Sequence, residues 1–536
     1  MKNLIILLSL LISCMFTACY EDESNTDIRK IEPLVIDLGG ASKTLSVYLL
    51  DTLEISPIVY KIGVEDADLS YKWEISGNDI VPQLLGTNMI LKTVIGVPES
   101  SDEYSLLLTV TDNTTSLQNY EEFKVKVSAK LGQGLLVADT KDELHTDLNL
   151  IVSSNFRGGV LFNPFNEKNT ITMTSVYSQC NFGQLLDGKV TQMLAPGEGN
   201  GSERTLTLIT DHSAYRMDPY QYNLNGVTND FFYVHVPELH FKPEAMMFEN
   251  TQFHEFMTID GILYCRDTRW GNLNYGAPLE TSDFSEYEVH CGFGFSTEWP
   301  IYRYVYFYDE LNDRFLECQD YERLLVNSKF KPNLGKQKPL YMGEGNASMV
   351  YTVFRSKETE DYLLYTFEPG NAYSVTDFNA GASYHLDACT DIKNAVQFTS
   401  SRSEKVLYYT TSRKIYAALL TEETPKAHEC FSIDALRAAY PEQFSANAEI
   451  SSIYLWNKSN QGTIRIKDSE SGGEPTKISA QFRMMVITIW DEASRQGSIL
   501  TIPIMNLGAG VLEKDTAYWT VYPGFGRILC IAPQSW

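Results

Sequence analysis

The chain has 536 residues with 69 acidic and 43 basic side chains, which gives a formal net charge of −26. A chain this acidic should repel nucleic acid and anionic lipid surfaces. Beyond its first residues it has no apolar run long enough to span a bilayer, and its length predicts two or more domains.

The N-terminus has the pattern of a signal peptide over residues 1–18. A lysine supplies a positive charge at the second position, and Leu4–Ile12 is an apolar run that one serine interrupts. Phe16-Thr17-Ala18-Cys19 follows and resembles the lipobox of bacterial lipoproteins, although a phenylalanine stands where an aliphatic residue is usual. Cys14 has a similar context, but cleavage there would cut the apolar run short. We therefore expect lipid on Cys19, with Cys14 and a plain cleaved signal as the alternatives.

An acidic segment follows the predicted lipid attachment site. Tyr20-Glu21-Asp22-Glu23 resembles the signal that sends Bacteroidetes lipoproteins to the outer face of the outer membrane, and it is otherwise typical of an ordinary solvated linker. Residues 19–30 are therefore predicted to be a lipidated tether. The expected location is the outer membrane, with the chain lipid-anchored on the extracellular side.

Residues 31–128 have the strand pattern of a β-sandwich. Apolar and polar residues alternate from Tyr71 to Ile75, again from Tyr104 to Val110, and again from Phe123 to Val127. Thr111-Asp112-Asn113 ends the second of these strands with a turn. A tryptophan on a middle strand, opposite a strand that begins with tyrosine, suits an immunoglobulin-like fold of roughly 100 residues.

The same segment carries a family resemblance. Tyr71-Lys72-Trp73, followed by the strand Tyr104–Asp112, is similar to a PKD-type immunoglobulin-like domain. With the lipoprotein signal before it and a long all-β region after it, the chain resembles the PKD-like lipoproteins of Bacteroidetes. That family is encountered beside SusC/SusD-like outer-membrane uptake systems. The resemblance therefore implies a setting in nutrient uptake and implies no particular reaction.

After a short linker at residues 129–133, the pattern of residues 134–536 changes. Strand pairs recur at roughly 45–70-residue spacing, and they begin near Leu135, Thr205, Phe256, Arg303, Val350, Val396 and Ser451. Such repeats predict a β-propeller, which we expect to have seven blades, with six to eight allowed. The strand Arg527–Ala532 would return to close the ring. Two jelly rolls or stacked sandwiches would give a similar strand density and are the alternative.

Within this region four segments have the form strand, polar turn, strand. They are Thr205–Thr210 with Tyr215–Met217, Tyr304–Tyr308 with Arg314–Glu317, Tyr351–Arg355 with Tyr362–Phe367, and Val406–Thr410 with Lys414–Leu419. One short helix is predicted over Ile433–Tyr440, with Ser432 as its N-cap and Pro441 as its stop. The motif Gly-Glu-Gly-Asn occurs at 197–200 and again at 343–346, and both copies are predicted to be turns between blades.

The sequence has no local signature of a catalytic centre. It lacks an HExxH zinc motif, a G-x-S-x-G nucleophile elbow and a P-loop. We therefore assign no catalytic residue, metal ligand or cofactor. One group of oxygen-bearing residues leaves a structural calcium open, although it lacks EF-hand spacing: Asp139, Asp142, Asp147 and Asn149.

The cysteines do not indicate a disulfide framework. Nine are present, and those beyond the signal region are scattered, odd in number and without a CxxC pair. Most are predicted to be small buried apolar residues, and a single disulfide stays open. They are Cys180, Cys265, Cys291, Cys318, Cys389, Cys430 and Cys530.

Aromatic residues provide the most suggestive binding surface. They make up 12% of the chain, and a segment between two predicted blades concentrates them. Long loops rich in glycine and aromatic side chains often hold binding residues, because Tyr and Trp combine a flat apolar face with a polar edge. Packing between blades is the competing explanation. The predicted ligand or partner face is Arg269, Trp270, Asn274, Tyr275 and Trp299.

These observations predict a surface lipoprotein that is not an enzyme. We expect it to act as an accessory or ligand-binding component of a SusC/SusD-like TonB-dependent uptake complex, with an oligosaccharide or peptide as ligand. The alternative is an extracellular propeller hydrolase or lyase that acts on a polymer, because a propeller can host many chemistries. A third reading is adhesion or scaffolding.

Overall fold

The computed structural model shows an all-β protein. It describes residues 32–40, 42–48, 51–77, 80–97, 102–128, 134–157, 170–195, 205–219, 221–233, 246–250, 254–267, 274–296, 303–318, 323–326, 334–369, 379–458, 461–467 and 475–534. The predicted signal peptide and tether, including Cys19, lie outside these residues. The chain divides into two compact units, and the boundary between their main segments follows Lys126.

The first unit contains a five-stranded sheet and two strand pairs. Its strands are β1 (Leu34–Asp37), β2 (Thr44–Tyr48), β3 (Thr52–Ile55), β4 (Ile58–Lys61), β5 (Leu69–Gly77), β6 (Ile80–Gly86), β7 (Leu91–Val94), β8 (Tyr104–Asp112) and β9 (Gln118–Ser128). The sheet has the order β2-β9-β8-β5-β6, while β1 pairs with β4 and β3 pairs with β7.

Alternation along the strands forms the core of this unit. Every second residue of β8 from Tyr104 to Val110 is buried, and the residues between them are only half-buried. Trp73 on β5 is fully buried with its ring centroid 5.7 Å from that of Phe123. Its Nε1 donates to the carbonyl of Asn88 at 2.9 Å. The predicted alternation and the buried tryptophan are confirmed.

The second unit has seven sheets of three or more strands within the described residues. Sheet I holds β10 (Gly134–Thr140), β11 (His145–Val152), β12 (Ile171–Met173), β13 (Leu186–Asp187) and the last strand, β41 (Arg527–Gln534). Sheet II holds β14 (Val190–Leu194), β15 (Leu206–Thr210), β16 (Ala214–Met217) and β17 (Leu224–Val227), and sheet III holds β18 (Met246–Asn250), β19 (His254–Ile259) and β20 (Ile262–Asp267). Sheet IV holds β21 (Glu280–Thr281), β22 (Val289–Ser296), β23 (Arg303–Asp309), β24 (Arg314–Cys318) and β25 (Arg323–Val326).

Three further sheets complete the unit. Sheet V holds β26 (Gln337–Glu344), β27 (Val350–Ser356), β28 (Tyr362–Glu368) and β29 (Asn379–His385), and sheet VI holds β30 (Gln397–Ser400), β31 (Val406–Thr410), β32 (Lys414–Leu419) and β33 (Ala427–Ser432). Sheet VII holds β34 (Ala448–Leu455), β37 (Met484–Asp491), β38 (Gln496–Asn506), β39 (Val511–Leu512) and β40 (Thr520–Phe525). A hairpin of β35 (Thr463–Lys467) and β36 (Pro475–Ser479) is inserted in this last sheet. The strands pair antiparallel except for β21 with β25.

Contacts pass from each sheet of the second unit to the next and return to the first. Each sheet has one edge strand that contacts a neighbouring sheet, here called its first strand, and the strand paired with it is called its second strand. The first strands touch in succession: β41 with β14, β14 with β18, β18 with β22, β22 with β26, β26 with β30 and β30 with β34. Sheet VII then meets sheet I where β37 and β38 contact β41. Because β41 also pairs with β10, the predicted return of the last strand is confirmed. The arrangement of sheets is propeller-like.

A recurring aspartate ties the second strand of a sheet to its first strand. In sheets I, II, IV and VII an aspartate at or just beyond the end of the second strand accepts a backbone N–H from the segment that enters the first strand. The pairs are Asp139 with Gly526 at 2.5 Å, Asp211 with Lys189 at 3.0 Å, Asp309 with Glu288 at 3.1 Å and Asp491 with Ser445 at 2.6 Å. This repeat is not visible as a sequence motif, because the partners are distant along the chain.

The four predicted strand-turn-strand segments are confirmed as the hairpins β15-β16, β23-β24, β27-β28 and β31-β32. In the described parts of the chain, two short α-helices accompany the sheets, α1 (Val176–Cys180) and α2 (Ile433–Ala439). The second is the predicted helix, and its N-cap Ser432 accepts the N–H of Ala435. The neighbouring Pro441 lies beyond its C-cap.

Two other findings concern the whole described chain. No helix in the part that the structure describes is long and apolar enough to cross a membrane. Cys180, Cys291, Cys389, Cys430 and Cys530 are free thiols. Burial raises the pKa of Cys291 and Cys389 to about 12, as expected for small apolar core residues.

Candidate functional site

A cavity of about 620 Å³ lies where the first strands of four successive sheets meet. The strands are β22, β26, β30 and β34, and the segment after β36 adds Gln481 and Phe482. The volume falls within the roughly 300–1,000 Å³ that is usual for small-molecule sites. First strands supply this cavity because they are the edges at which neighbouring sheets touch.

One wall of the cavity is a fixed hydrogen-bond network. The Tyr341 hydroxyl lies 2.9 Å from the Ser400 hydroxyl and accepts the Ser400 backbone N–H at 3.1 Å. Ser400 in turn donates to the backbone carbonyl of Glu344 at 2.7 Å. Burial raises the pKa of Tyr341 to about 12, so its hydroxyl stays protonated at neutral pH. These bonds join β26 to β30 across the sheet boundary and hold polar groups at set positions.

A carboxylate and a guanidinium occupy the same wall. Burial raises the pKa of Glu344, and the nearby positive charge of Arg402 opposes that rise. The Arg402 guanidinium carbon lies 5.2 Å from the centroid of the Phe482 ring, a cation–π geometry. Among the described lining residues Glu344 is the one carboxylate and Arg402 the one cation.

Further lining residues offer amides and a phenol. Gln397 accepts the backbone N–H of Ile453 at 2.7 Å through its side-chain carbonyl. The Tyr454 hydroxyl donates to the Asn457 side-chain carbonyl at 2.6 Å, and burial raises the pKa of Tyr454. Gln481 donates to the Asn457 backbone carbonyl at 3.3 Å. The cavity therefore combines aromatic faces with many neutral hydrogen-bonding groups.

Two glycines allow the wall to close this tightly. A Cβ at Gly343 would lie 2.1 Å from the Tyr341 hydroxyl, and one at Gly345 would lie 2.0 Å from the Tyr351 ring. These glycines belong to the Gly-Glu-Gly-Asn motif at 343–346, which was predicted to be a turn between blades. That prediction was wrong, because the segment connects β26 to β27 within sheet V. The copy at 197–200 lies outside the described residues.

The predicted ligand face is only partly described. Arg269, Trp270 and Trp299 lie outside the described residues, and Asn274 is half-buried. Tyr275 is fully enclosed, and its hydroxyl donates to Glu255.

Tyr275 belongs to a buried charge network between sheets II and III. Glu255 forms an ion pair with Arg266 at 2.5 Å, and the two residues are directly opposite each other on β19 and β20. Burial opposes ionisation of Glu255, but Arg266 and Tyr275 hold its pKa below the usual value. The ring of Tyr275 is therefore part of the packing between sheets.

The aromatic segment that contains these residues is not one long loop. Its later part forms β22, the first strand of sheet IV, because Val289–Ser296 pairs along its length with β23. Phe293 on that strand lines the central cavity. The segment thus contributes an aromatic residue to the site, although Phe293 is not among the residues predicted for the ligand or partner face.

The residues considered for calcium serve other contacts. Asn149 donates to Asp139 at 2.9 Å, and Ser178 donates to Asp147 at 2.6 Å. Asp142 accepts backbone N–H groups from Leu144 and His145. Among the residues that the structure describes, no group of three or more His, Cys, Asp or Glu side chains could hold a metal ion.

Comparison with known proteins gives one family match. A model of the PKD-like family matches residues 19–189. The N-terminal part of the chain is therefore PKD-like, as the sequence predicted, and the match continues into sheet I. No curated protein matches the sequence.

Among solved structures, a dihydro-heme d1 dehydrogenase NirN in complex with DHE is similar with a TM-score of 0.34 and 8% identity. The alignment covers 74% of this chain and 75% of that chain. A similarity this weak supports no conclusion about activity.

Sequence patterns did not indicate Tyr341, Ser400 or Arg402 as site residues. Each belongs to, or closely follows, the first strand of its sheet, which is the edge strand that contacts the neighbouring sheet. These residues could have been found by locating the first strand of each repeat in the sequence.

Proposed function

We propose that the second unit is a seven-bladed β-propeller that binds a neutral, hydroxyl-rich ligand in its central cavity without chemically changing it. Seven consecutive sheets, the contacts between their first strands and the pairing of β41 with β10 support the blade count. An oligosaccharide is the ligand class that best matches the lining. Peptide is the competing ligand within the same function.

The observation that carries this proposal is the lining of the cavity. Sugars are bound by aromatic faces together with hydrogen-bonding groups of fixed orientation. Phe293 and Phe482 provide rings, while Tyr341 and Ser400 are held in place by their mutual hydrogen bonds. Groups positioned in advance lower the entropic cost of binding.

We propose further that the protein works at the cell surface, held in the outer membrane by lipid on Cys19. There it would deliver ligand to, or organise, a SusC/SusD-like TonB-dependent uptake complex. Support comes from the signal sequence, the acidic segment after it, and the PKD-like match that begins at residue 19.

Titration calorimetry of the mature protein against a panel of neutral oligosaccharides and short peptides tests the binding function. Arg402→Ala removes the guanidinium that lies over Phe482, and we expect at least about tenfold weaker binding of the sugar that wild type selects. Lys426→Ala changes an exposed cation that does not line the cavity and serves as the matched control. Equal affinities for the two variants, or binding of peptides alone, would contradict the sugar proposal.

Recovery of native protein from detergent-solubilised outer membrane tests the setting. Stoichiometric co-purification of a SusC/SusD-like pair is the expected result, and recovery of the protein alone would speak against it. Cys19→Ala should release the protein from the membrane fraction. A variant that stays membrane-bound with lipid on Cys14 would refute the assignment.

One observation favours a second candidate, a polymer hydrolase or lyase. Glu344 is a carboxyl with a burial-raised pKa at the wall of a cavity, which is a common property of general acids. Turnover of any polymer by wild type that Glu344→Gln abolishes would establish this function. Sugar binding without turnover, retained in Glu344→Gln, would exclude it for that sugar.

A further inference from the structure

A second cavity lies apart from the central one, beside the inserted hairpin of β35 and β36. Its volume is about 220 Å³, enough for one sugar ring or a small anion, and it shares no described lining residue with the central cavity. The hairpin forms one side, and β38 and the segment Ala517–Tyr522 form the other. Ser154 and Asn155, which follow β11, contribute the floor.

The mouth of this cavity is basic in an otherwise acidic protein. Arg465 on β35 and Lys477 on β36 are directly opposite each other in the register, and both are exposed. Both line the cavity, whose described lining includes no acidic residue. In a chain of net charge −26, these two cations form a local positive site that can attract an anion.

The floor is polar and held in place. Asn155 donates to the Thr501 hydroxyl at 2.9 Å. Thr463 donates to the Ser154 carbonyl through its backbone N–H at 2.7 Å and through its hydroxyl at 3.2 Å. Gly462 makes this approach feasible, because its φ is +79° and a Cβ there would lie 2.1 Å from the Asn155 carbonyl oxygen. Hydroxyl and amide groups are therefore presented beneath the two cations.

The wall facing the hairpin is aromatic and anchored. The Trp519 Nε1 donates to the Glu513 carbonyl at 2.7 Å, and the Tyr522 hydroxyl lies 2.9 Å from the Ser153 hydroxyl. Tyr518 directly precedes Trp519 in the sequence and also lines the cavity. An aromatic surface beside hydroxyl groups suits the apolar face and polar edge of a sugar ring.

We propose that this cavity binds one acidic sugar unit, with Arg465 and Lys477 holding its carboxylate or sulfate group. The aromatic wall contacts the ring, and Thr463, Thr501 and Asn155 bond its hydroxyls. The site does not depend on the central cavity. The protein would therefore recognise an anionic glycan at one site while the proposed central site takes neutral units.

Calorimetry of the mature protein with three probes tests this inference. The probes are a galacturonic acid oligomer, a sulfated disaccharide and the neutral oligomer of the same sugar as the first. We expect at least one charged probe to bind about tenfold or more tightly than the neutral one, with affinity falling as salt rises. Carboxylate and sulfate sources are distinguished by which charged probe binds.

Variants decide whether the cations are responsible. Arg465→Gln and Lys477→Gln should each weaken binding of the charged probe by about tenfold, while Lys426→Gln should leave it unchanged. Both hairpin positions are exposed, so the variants should fold, as circular dichroism can verify. Arg402→Ala should leave binding of the charged probe unchanged. A negative result for this second cavity can therefore be distinguished from a negative result for the central cavity.

Three results would overturn the inference. The first is equal affinity for charged and neutral probes, and the second is equal affinity of the hairpin variants and the control. The third is competition by free sulfate or acetate at the same concentration as the sugar, which would mean that the cavity takes any small anion.

Discussion

The two units bury their strands in different ways. In the first unit, β8 is buried at every second residue, as for a sheet with one face toward a core. In the second unit, β10 and β37 are buried at every residue. On β37 the two faces belong to different hydrophobic clusters, with Met484 in one and Ile487 in the other. A sheet in the second unit therefore serves two cores at once.

That difference has an energetic consequence. A strand with one wet face tolerates change at half of its positions, whereas a strand between two neighbouring sheets tolerates it at almost none. The same difference explains the amino-acid pattern of the strands. The central strands of the second unit are continuous runs of apolar residues, whereas those of the first unit alternate apolar and polar residues.

The largest effects should come from paired truncations on the two kinds of strand. Leu106→Ala on β8 should cost about 2–5 kcal/mol, while Leu107→Ala, which is half-buried, should cost roughly 1 kcal/mol or less. On β37, Met484→Ala and Ile487→Ala should both cost about 2–5 kcal/mol. Hydrogen exchange of each strand reports the free energy of unfolding of its unit. If either substitution on β37 cost as little as Leu107→Ala, the predicted difference between the two units would be wrong.

A smaller effect is expected at the aspartates that join second strands to first strands. Asp491 accepts the Ser445 N–H and hydroxyl, each at 2.6 Å, and the Ala493 N–H at 3.0 Å. Asp491→Ala should destabilise the second unit by about 1–3 kcal/mol, because the part-buried donors of Ser445 and Ala493 lose their acceptor. Asp361→Ala changes an exposed aspartate in the corresponding hairpin of sheet V and should be nearly neutral. Denaturant unfolding of both variants measures the difference.

The smallest effect is a dependence on pH with opposite signs. Burial raises the pKa of Asp139 above its ordinary 3.8, although Asn149 and Gly526 oppose the rise. Burial also acts against ionisation of Asp491, but there the bonds from Ser445 hold the pKa below 3.8. Stability from Asp491 is present above pH 3.8 and is lost as the pH falls through its folded pKa. Stability from Asp139 is present below that pH and is lost as the pH rises.

Variants that cannot titrate reveal these slopes. Asp491→Asn should cost more at pH 7 than at about pH 3.5, and Asp139→Asn should cost less at pH 7 than at about pH 3.5. Unfolding free energies of both variants and wild type across this range provide the measurement. If the costs of the two substitutions changed with pH in the same direction, the predicted opposite pH dependences of Asp491 and Asp139 would be wrong.

Local patterns made much of the fold predictable. Period-two alternation placed the strands around Trp73 and Tyr104, and polar turns placed four hairpins of the second unit. Ser432 and Pro441 marked a helix whose observed end differs by one residue, Ala439. Each of these features depends on residues close together in sequence, so a single chain contains the information.

The site was less predictable because it is assembled across sheets. Tyr341 and Ser400 are 59 positions apart, and neither has unusual neighbours in the sequence. Tyr275 shows the opposite error, since an aromatic residue in a suggestive segment serves the packing between two sheets. Composition can indicate that aromatic residues are abundant, but burial on both faces makes most of them structural in this unit.

The pairing of β41 with β10 bears on how the second unit is made. These strands lie at opposite ends of the unit, and loop closure over such a separation is a slow step in folding. Until the eight residues of β41 have emerged, β10 presents an open edge that can pair with another chain. Biogenesis of this protein therefore needs β41 to arrive intact, and truncation within that strand should produce aggregation before it produces a weaker fold.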